Sequence, residues 1–280
     1  MPLEIAQNLT FDELVPIRDL IADASGLFFD EKKFYFIEKR IAKRIKATNT
    51  QSPRNYFRLL KLGGNSDEMK ELIASLTTNE TYFFRYLPQL ESFAEEALPM
   101  VCKAKRARND YILNIWSAGC SSGEEPYTIY ILLKEHLEDF SKWKINLFAT
   151  DIDHKVLEKA RRGLYEKRAV KDVSPKILGK YFSCNESKFH INEDVKDNVR
   201  FDYLNLMDRK AIRSFSDMDF VFCRNVLIYF DDKARKQVIN SIYDCLAPGG
   251  FIFLGHSESV GKISATFKLI KLKKSLSYQK

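Results

Sequence analysis

NIWSAGCSSGEEPY, residues 114–127, is the stretch that decides the fold. An apolar run breaks off at Gly119-Cys120-Ser121-Ser122-Gly123, and Glu124-Glu125-Pro126 then reads as the first turn of a helix. Proline is tolerated in that turn, and acids suit the positive end of the helix dipole. The glycines let backbone come close to a ligand. Strand, small-residue loop and helix start together make a cradle for a nucleotide-type ligand, at the strand end where open parallel sheets bind theirs. The loop is not GxGxxG, so a dinucleotide-phosphate site fits poorly, and no GK[ST] follows, which excludes a Walker loop. Taken alone, the stretch also reads as a plain strand-to-helix turn.

The texture repeats outward from this point. YILNIWS (111–117) precedes the loop, and a helix runs from 124 to about 140. INLFAT (145–150) leads into a helix over 153–162, and VRFDYLN (199–205) and MDFVFC (218–223) are strand-like. A helix follows over 232–246, and Pro248-Gly249-Gly250 turns into FIFLGH (251–256). The tail FKLIKLKKSLSYQ (267–279) supplies a last strand or a hairpin. This alternation predicts an α/β fold, a mostly parallel sheet with helices on both faces. Residues 163–198 do not fit it, because αβ connections usually take roughly 2–6 residues. Phe189 and Ile191 alternate with polar residues, and Asp197-Asn198 is a turn signal. The stretch predicts a small inserted antiparallel β-subdomain.

Residues 1–76 show no strand-like alternation and predict a separate N-terminal helical domain, with 77–280 as the sheet domain. Phe34, Ile37, Ile41 and Ile45 recur at steps of three and four and share one helix face. Lys32, Lys39, Lys43 and Lys46 fall on the opposite face, with Arg40 and Arg44 on the flank. Seven Lys or Arg between Lys32 and Lys46 stand against only Glu31 and Glu38, which points to an anionic partner. The plainer reading is a solvated helix face. Gly63-Gly64-Asn65-Ser66 breaks the helical run.

Three further segments carry polar groups where a ligand would lie. Asp151 directly follows INLFAT, about 30 residues after the glycine loop, where an acid can accept hydrogen bonds from both hydroxyls of a ribose. Asp153 competes for the ordinary role of helix cap. DFVFCRNVLIYF (219–230) places Asn225, Tyr229 and Phe230 just past a buried strand, and LTTNETYFFR (76–85) is polar and turn-prone before it becomes aromatic. Each of these reads by itself as ordinary capping or core packing.

The composition narrows the partners. The chain has 280 residues, 45% of them hydrophobic, and a formal net charge of +7. A basic chain seeks nucleic acid, anionic lipid or an acidic protein. No apolar run approaches the roughly 20 residues of a membrane span. The first residues, MPLEIAQNLTFDEL, carry acids and no basic-then-apolar signal pattern. Five cysteines, Cys102, Cys120, Cys184, Cys223 and Cys245, are widely spaced without a CxxC, which argues against disulfides and structural zinc and for a reducing cytoplasm. Each cysteine reads as a small buried hydrophobe.

Together, TTNETYFFR, SAGCSSGEEPY, ATDID, FDYLNL, CRNVLIYF and LAPGGFIFLGHSES, in this order, resemble the CheR family of chemoreceptor glutamate methyltransferases over essentially the whole chain. The resemblance implies a class I, Rossmann-like methyltransferase domain preceded by a small helical domain and carrying an inserted antiparallel β-subdomain. It implies S-adenosylmethionine as cofactor, S-adenosylhomocysteine as product and no metal. Asn79, Thr81 and Arg85 match cofactor-contacting positions, with Arg85 nearest the methyl acceptor. Glu125 matches the acid on the methionyl amino group, with Glu124 a substitute. Asp151 matches the acid on the ribose, Asn205 and Leu206 the pair around the adenine, and Asn225 and Val226 positions along the cofactor. Tyr229 is a candidate at the reacting centre. The implied partner is the acidic cytoplasmic helical bundle of a methyl-accepting chemoreceptor, which gives Lys39, Lys43 and Lys46 a surface to meet. Some members also grip a tether peptide on the receptor tail through the β-subdomain, and the sequence leaves that open. A nicotinamide oxidoreductase is disfavoured by the GCSSG loop and the distant Asp151. A nucleic-acid base methyltransferase is disfavoured because RNVLIYF stands where one large family has [DNS]PP[YF]. A degenerate fold kept only for docking is disfavoured by the intact polar set from Asn79 to Asn225. Neither nucleic acid nor membrane insertion is expected.

Overall fold

The computed structural model describes residues 9–62, 67–260 and 266–280. Four helices come first: α1 (Phe11–Ser25), α2 (Phe34–Ala47), α3 (Pro53–Leu62) and α4 (Asp67–Leu76). A capping box of Thr10 and Glu13 starts α1, and Gly26, at a left-handed φ of +76°, ends it. In α2, Ile37, Ile41 and Ile45 are buried while Lys39, Lys43 and Lys46 are exposed, so the amphipathic reading holds. Two of its details change. Lys32 belongs to a short 3-10 turn, Glu31–Lys33, ahead of α2. Arg44 faces α4, donating to Glu68 at 2.9 Å and lying 3.4 Å from Glu71, so its charge is spent inside the helical layer. The expected break at Gly63-Gly64-Asn65-Ser66 lies outside the described residues.

After an irregular crossing, α5 (Leu87–Ser92) runs through a π-helical turn, Phe93–Ala97, into α6 (Leu98–Arg106). The sheet domain then alternates β1 (Ile112–Ala118), α7 (Glu124–His136), β2 (Lys144–Asp151) and α8 (His154–Arg162). The insertion follows, with β3 (Leu164–Glu166), α9 (Pro175–Tyr181), β4 (Phe182–Asn185), β5 (Lys188–Ile191) and α10 (Glu193–Lys196). The alternation resumes with β6 (Val199–Tyr203), α11 (Arg209–Ile212), β7 (Met218–Cys223), α12 (Asp232–Cys245) and β8 (Leu246–Leu254). A hairpin, β9 (Lys268–Lys271) and β10 (Leu276–Gln279), closes the chain.

The main sheet has the order β6-β2-β1-β7-β8-β10-β9; its first five strands pair in parallel, and the final hairpin joins antiparallel. The insertion forms its own antiparallel sheet, β3-β5-β4. Two boundaries differ from the sequence reading. The first sheet-domain helix stops at His136, because Leu137 turns extended, and only a 3-10 turn, Phe140–Lys142, follows. β8 starts at Leu246 and includes Pro248-Gly249-Gly250 with a register shift. A Cβ on Gly250 would stand 2.7 Å from the Met218 carbonyl, so only glycine lets this part of β8 lie so close to β7.

Strand alternation divides the core in two. Phe220, Phe222, Phe251 and Phe253 pack on one side of the sheet around Phe93. Trp116, Val221, Cys223 and Ile252 face the other side, in one continuous apolar cluster with Ile17, Ile21, Ile37 and Ile41 of the helical layer. The helical layer is thereby fixed against the sheet beside the strand ends. Four cysteines are buried as expected, but Cys184 is exposed, on the edge strand β4, where only Phe182 is buried. No helix among the described residues is long and apolar enough to cross a membrane.

Candidate active site

A cavity of about 280 Å3 opens where β1, β2, β6 and β7 end. Gly119 forms part of its wall, with φ +82°, and a Cβ there would meet Val226 Cγ2 at 2.3 Å. The glycine therefore lets the two strand-end loops close on each other. At the next strand end, Asp151 is 8% exposed, and its carboxylate accepts the N–H groups of Ser121 (2.8 Å) and Asp153 (2.9 Å). An ionised carboxylate offers about four acceptor positions, so two remain for a ligand's hydroxyls. Burial pushes its pKa up to about 6, against the pull of those backbone donors. Asp153 instead caps α8 through the Lys155 N–H (2.8 Å) and accepts Asn79 Nδ2 (2.8 Å) and Thr77 Oγ1 (3.2 Å). The two acids have separate work, one toward the cavity and one holding the crossing segment.

Glu125 lies on the cavity and Glu124 does not. Glu125 accepts Ser117 Oγ at 2.7 Å and pairs with Arg224 at 3.1 Å. Burial raises its pKa and the Arg224 charge opposes the rise. Glu124 is turned into the fold, accepts the Ser122 hydroxyl at 2.8 Å and is pushed by burial up to about 7.

The crossing segment from Thr77 to Tyr82 is neither helix nor strand, and so is not the start of a helix. Phe84 and Tyr86 both adopt left-handed φ, +58° and +59°, on either side of Arg85. Such backbone costs on the order of 1–3 kcal/mol per residue and persists where the surroundings impose it. Its effect is to turn Arg85 to the cavity, where its Nη1 donates to the Glu80 carbonyl at 2.7 Å. Asn79, Thr81 and Tyr82 line the same wall.

On the far side stand Asn225, with φ +59°, Val226 and Tyr229, whose hydroxyl donates to the Thr78 carbonyl at 3.3 Å. Leu206 lines the cavity beside Leu204, but Asn205 does not. The Asn205 amide is turned away, donating to the Ala24 carbonyl (2.6 Å) and accepting the Met207 N–H (2.9 Å), so it braces the turn and ties it to α1. Lys39, Lys43 and Lys46 are also outside the cavity, on the exposed face of α2.

Three contributions escape sequence reasoning. Arg224 joins the Glu125 carboxylate to the Arg85 carbonyl from a buried position, and its only local signal is a cation directly after six apolar or buried residues. Glu258 accepts three backbone N–H groups, from Gly255 (2.6 Å), Asn225 (2.8 Å) and Ile228 (3.1 Å), and so shapes the whole loop after β7. Ser25 and Leu27 of the helical domain line the cavity as well. Leu27 bridges to Phe230, and the Phe28 N–H donates to the Tyr229 carbonyl at 2.8 Å.

The residues fit S-adenosylmethionine: Glu125 for an ammonium, Asp151 for a ribose diol, Leu204, Leu206 and Ile152 for a flat apolar base, and a cation at the mouth. Residues 79–276 match the CheR methyltransferase SAM binding domain, and residues 12–77 match the CheR methyltransferase all-alpha domain. The chain is 41% identical to chemotaxis protein methyltransferase 2 of Vibrio cholerae, over 97% of this chain and 94% of that one. It is 35% identical to the chemotaxis protein methyltransferase of Borreliella burgdorferi, over 90% of each chain. It is 34% identical to that of Salmonella typhimurium, over 95% of this chain and 91% of the relative. With both of its domains matched and its relatives covered almost end to end, the chain belongs to the CheR methyltransferase family.

Proposed function

We propose that this methyltransferase transfers the methyl group of S-adenosylmethionine to glutamate carboxylates on the cytoplasmic helical bundle of bacterial chemoreceptors. The products are glutamate methyl esters and S-adenosylhomocysteine, and the reaction takes place in the cytoplasm. The observation that carries this reading is a cavity with two buried acids at its floor and Arg85 held at its mouth. We divide the work at residue 76: the helical domain meets the receptor, and residues 77–280 bind the cofactor and host the transfer.

When bound, the cofactor supplies a methyl group already activated by its sulfonium; the carboxylate oxygen takes the carbon and the C–S electron pair stays on sulfur. A glutamate acceptor is ionised at neutral pH, so no general base and no metal are needed. The protein's part is placement and exclusion of water. Glu125 holds the ammonium and Asp151 the ribose. Leu206 covers the base, while Asn205 braces the turn behind it. Asn79, Thr81, Asn225 and Val226 set the cofactor's line, and Arg85 and Tyr229 orient the acceptor. Incubation with methyl-labelled S-adenosylmethionine and chemoreceptor membranes, followed by alkali, tests the reading. Carboxyl methyl esters release volatile methanol under base. Label that stays non-volatile, as methylated amines would leave it, refutes the proposal.

Asp151→Ala weakens cofactor binding by about 1.5–3 kcal/mol, the range for hydrogen bonds to a charged group. Because burial sets the Asp151 pKa at about 6, wild-type affinity also declines as pH falls below that value and the carboxylate is neutralised. The variant lacks that part of the decline. Titration calorimetry across pH 5–8 checks both; unchanged affinity in a folded variant removes Asp151 from the site.

The exposed lysines of α2 match an acidic bundle in sign, and such charges act mainly through steering, screened beyond about 8 Å at physiological salt. Lys39→Glu, Lys43→Glu and Lys46→Glu together lower receptor methylation sharply at low salt, flatten its salt dependence and leave cofactor affinity in place. Equal methylation by the two folded proteins across a salt series assigns the lysines to solvent alone. For a receptor with a tail tether, the edge strands β3 and β4 offer an extended peptide a place to add to the β-subdomain. A receptor fragment without its tail keeps such tethering from masking the lysine effect.

A further inference from the structure

Lys171, in the inserted subdomain, is exposed, and its ammonium lies 4.1 Å from the centroid of the Tyr82 ring. The Arg85 guanidinium lies 5.7 Å from the same centroid. Tyr82 and Arg85 line the cofactor cavity, and Lys171 stands just outside it. This arrangement is anchored by backbone and packing. The Phe83 N–H donates to the Ala169 carbonyl at 2.9 Å, and the Phe83 ring meets Tyr165 and Phe182 of the subdomain edge-on at 4.8 and 4.9 Å. The neighbouring Arg168 is already paired with Glu80 at 2.9 Å. Neither Lys171 nor Arg85 forms an ion pair with a carboxylate among the described residues, and the Arg85 charge is felt by Glu125 inside the cavity, so two cations without a direct acid contact share one ring at the mouth.

We propose that Lys171, Tyr82 and Arg85 form a two-cation reader for the acidic helix that carries the methyl acceptor. Resting on the functional reading above, Arg85 takes the acceptor glutamate and Lys171 takes a second carboxylate farther along the same helix face. Since each charge is within 5.7 Å of one point, the two lie within about 10 Å of each other. An α-helix brings a face round about every 5.4 Å, so the second acid stands one or two turns from the acceptor. Tyr82 keeps both cations in place by its ring face without neutralising them, as a carboxylate would. The reader thereby selects substrates by charge spacing, and the inserted subdomain contributes directly to acceptor choice.

Methylation kinetics at saturating cofactor test this, with wild type, Lys171→Gln and Lys171→Arg on a receptor and on receptor variants whose acids one or two turns from the acceptor are changed to Gln. Lys171→Gln is expected to raise KM for the receptor about three- to tenfold, as loss of a rim charge does, with little change in kcat or cofactor affinity. Lys171→Arg restores most of the loss. Neutralising the paired receptor acid raises KM for wild type but not further for Lys171→Gln, the non-additivity that marks direct contact. Unchanged KM in Lys171→Gln, or fully additive effects with every receptor acid, overturns the reader while leaving the methyltransferase reading intact. A wild-type protein that methylates no receptor overturns both.

Discussion

Arg85→Ala transfers methyl groups about 100-fold more slowly than wild type or worse, the scale of loss when a reacting group is misplaced by about an ångström. Its cofactor affinity changes far less. The segment is shaped by backbone, with left-handed φ at Phe84 and Tyr86 and the Phe83–Ala169 hydrogen bond, so truncating the side chain leaves the turn standing. The lost bond to the Glu80 carbonyl is exposed, and water takes its place. What disappears is the charge proposed to bring the acceptor carboxylate into line. Arg85→Lys recovers only part of the rate, because a point charge does not reproduce the guanidinium fork. Single-turnover assays at saturating cofactor and receptor measure this directly; rates near wild type would sink the assignment of Arg85 to the acceptor.

Arg224→Ala produces the largest loss of stability, about 3–5 kcal/mol, the usual cost of removing one partner of a buried ion pair. The Arg224 side chain is 4% exposed and that of Glu125 14%, so little water reaches the carboxylate left behind. Burial already raises the Glu125 pKa, and Arg224 is the charge that restrains it. Without that charge the pKa climbs further. A carboxyl whose folded pKa lies above its unfolded value holds its proton better in the native state, so stability falls as pH rises through the shifted pKa. The deficit of the variant is therefore greatest at high pH and shrinks on acidification. Cofactor affinity moves the other way and recovers as pH rises, because only ionised Glu125 attracts the ammonium. Thermal melts and calorimetry from pH 6 to 9 should show these opposed trends. A loss below about 1 kcal/mol, or parallel trends, would show that Arg224 does not sustain Glu125.

Much of the frame is local and therefore legible in the sequence. Ile37, Ile41 and Ile45 mark a buried helix face by spacing alone, and MDFVFC marks the central strand by its continuous burial. Residues 163–198 announce an extra unit because no short connection needs that length, and the antiparallel sheet β3-β5-β4 occupies it. What stays hidden depends on contacts far along the chain. Spacing cannot say which of Glu124 and Glu125 faces the cavity; the geometry of the helix start decides it. Asn205 is called to the base by its motif, yet its amide answers Ala24, 181 residues away in sequence. Glu258 shows no period and no partner until the loop after β7 folds over it. Ser25 and Leu27 look like the end of an ordinary helix, and only docking of the two domains makes them cavity wall. Cys184 looks like its four buried counterparts because exposure on a short edge strand leaves no mark in composition.

Because Ser25 and Leu27 share the cavity with the strand ends, and α1 packs on α2, whatever fills the cavity also reinforces the seam between the domains. A ligand at 100 times its dissociation constant adds about 2.7 kcal/mol to the folded state. Part of that cohesion falls at the end of α1, one helix away from the exposed lysines of α2. Any preference the receptor shows for the cofactor-loaded form must be returned as tighter cofactor binding when the receptor docks. The seam is the physical link through which such a preference would act.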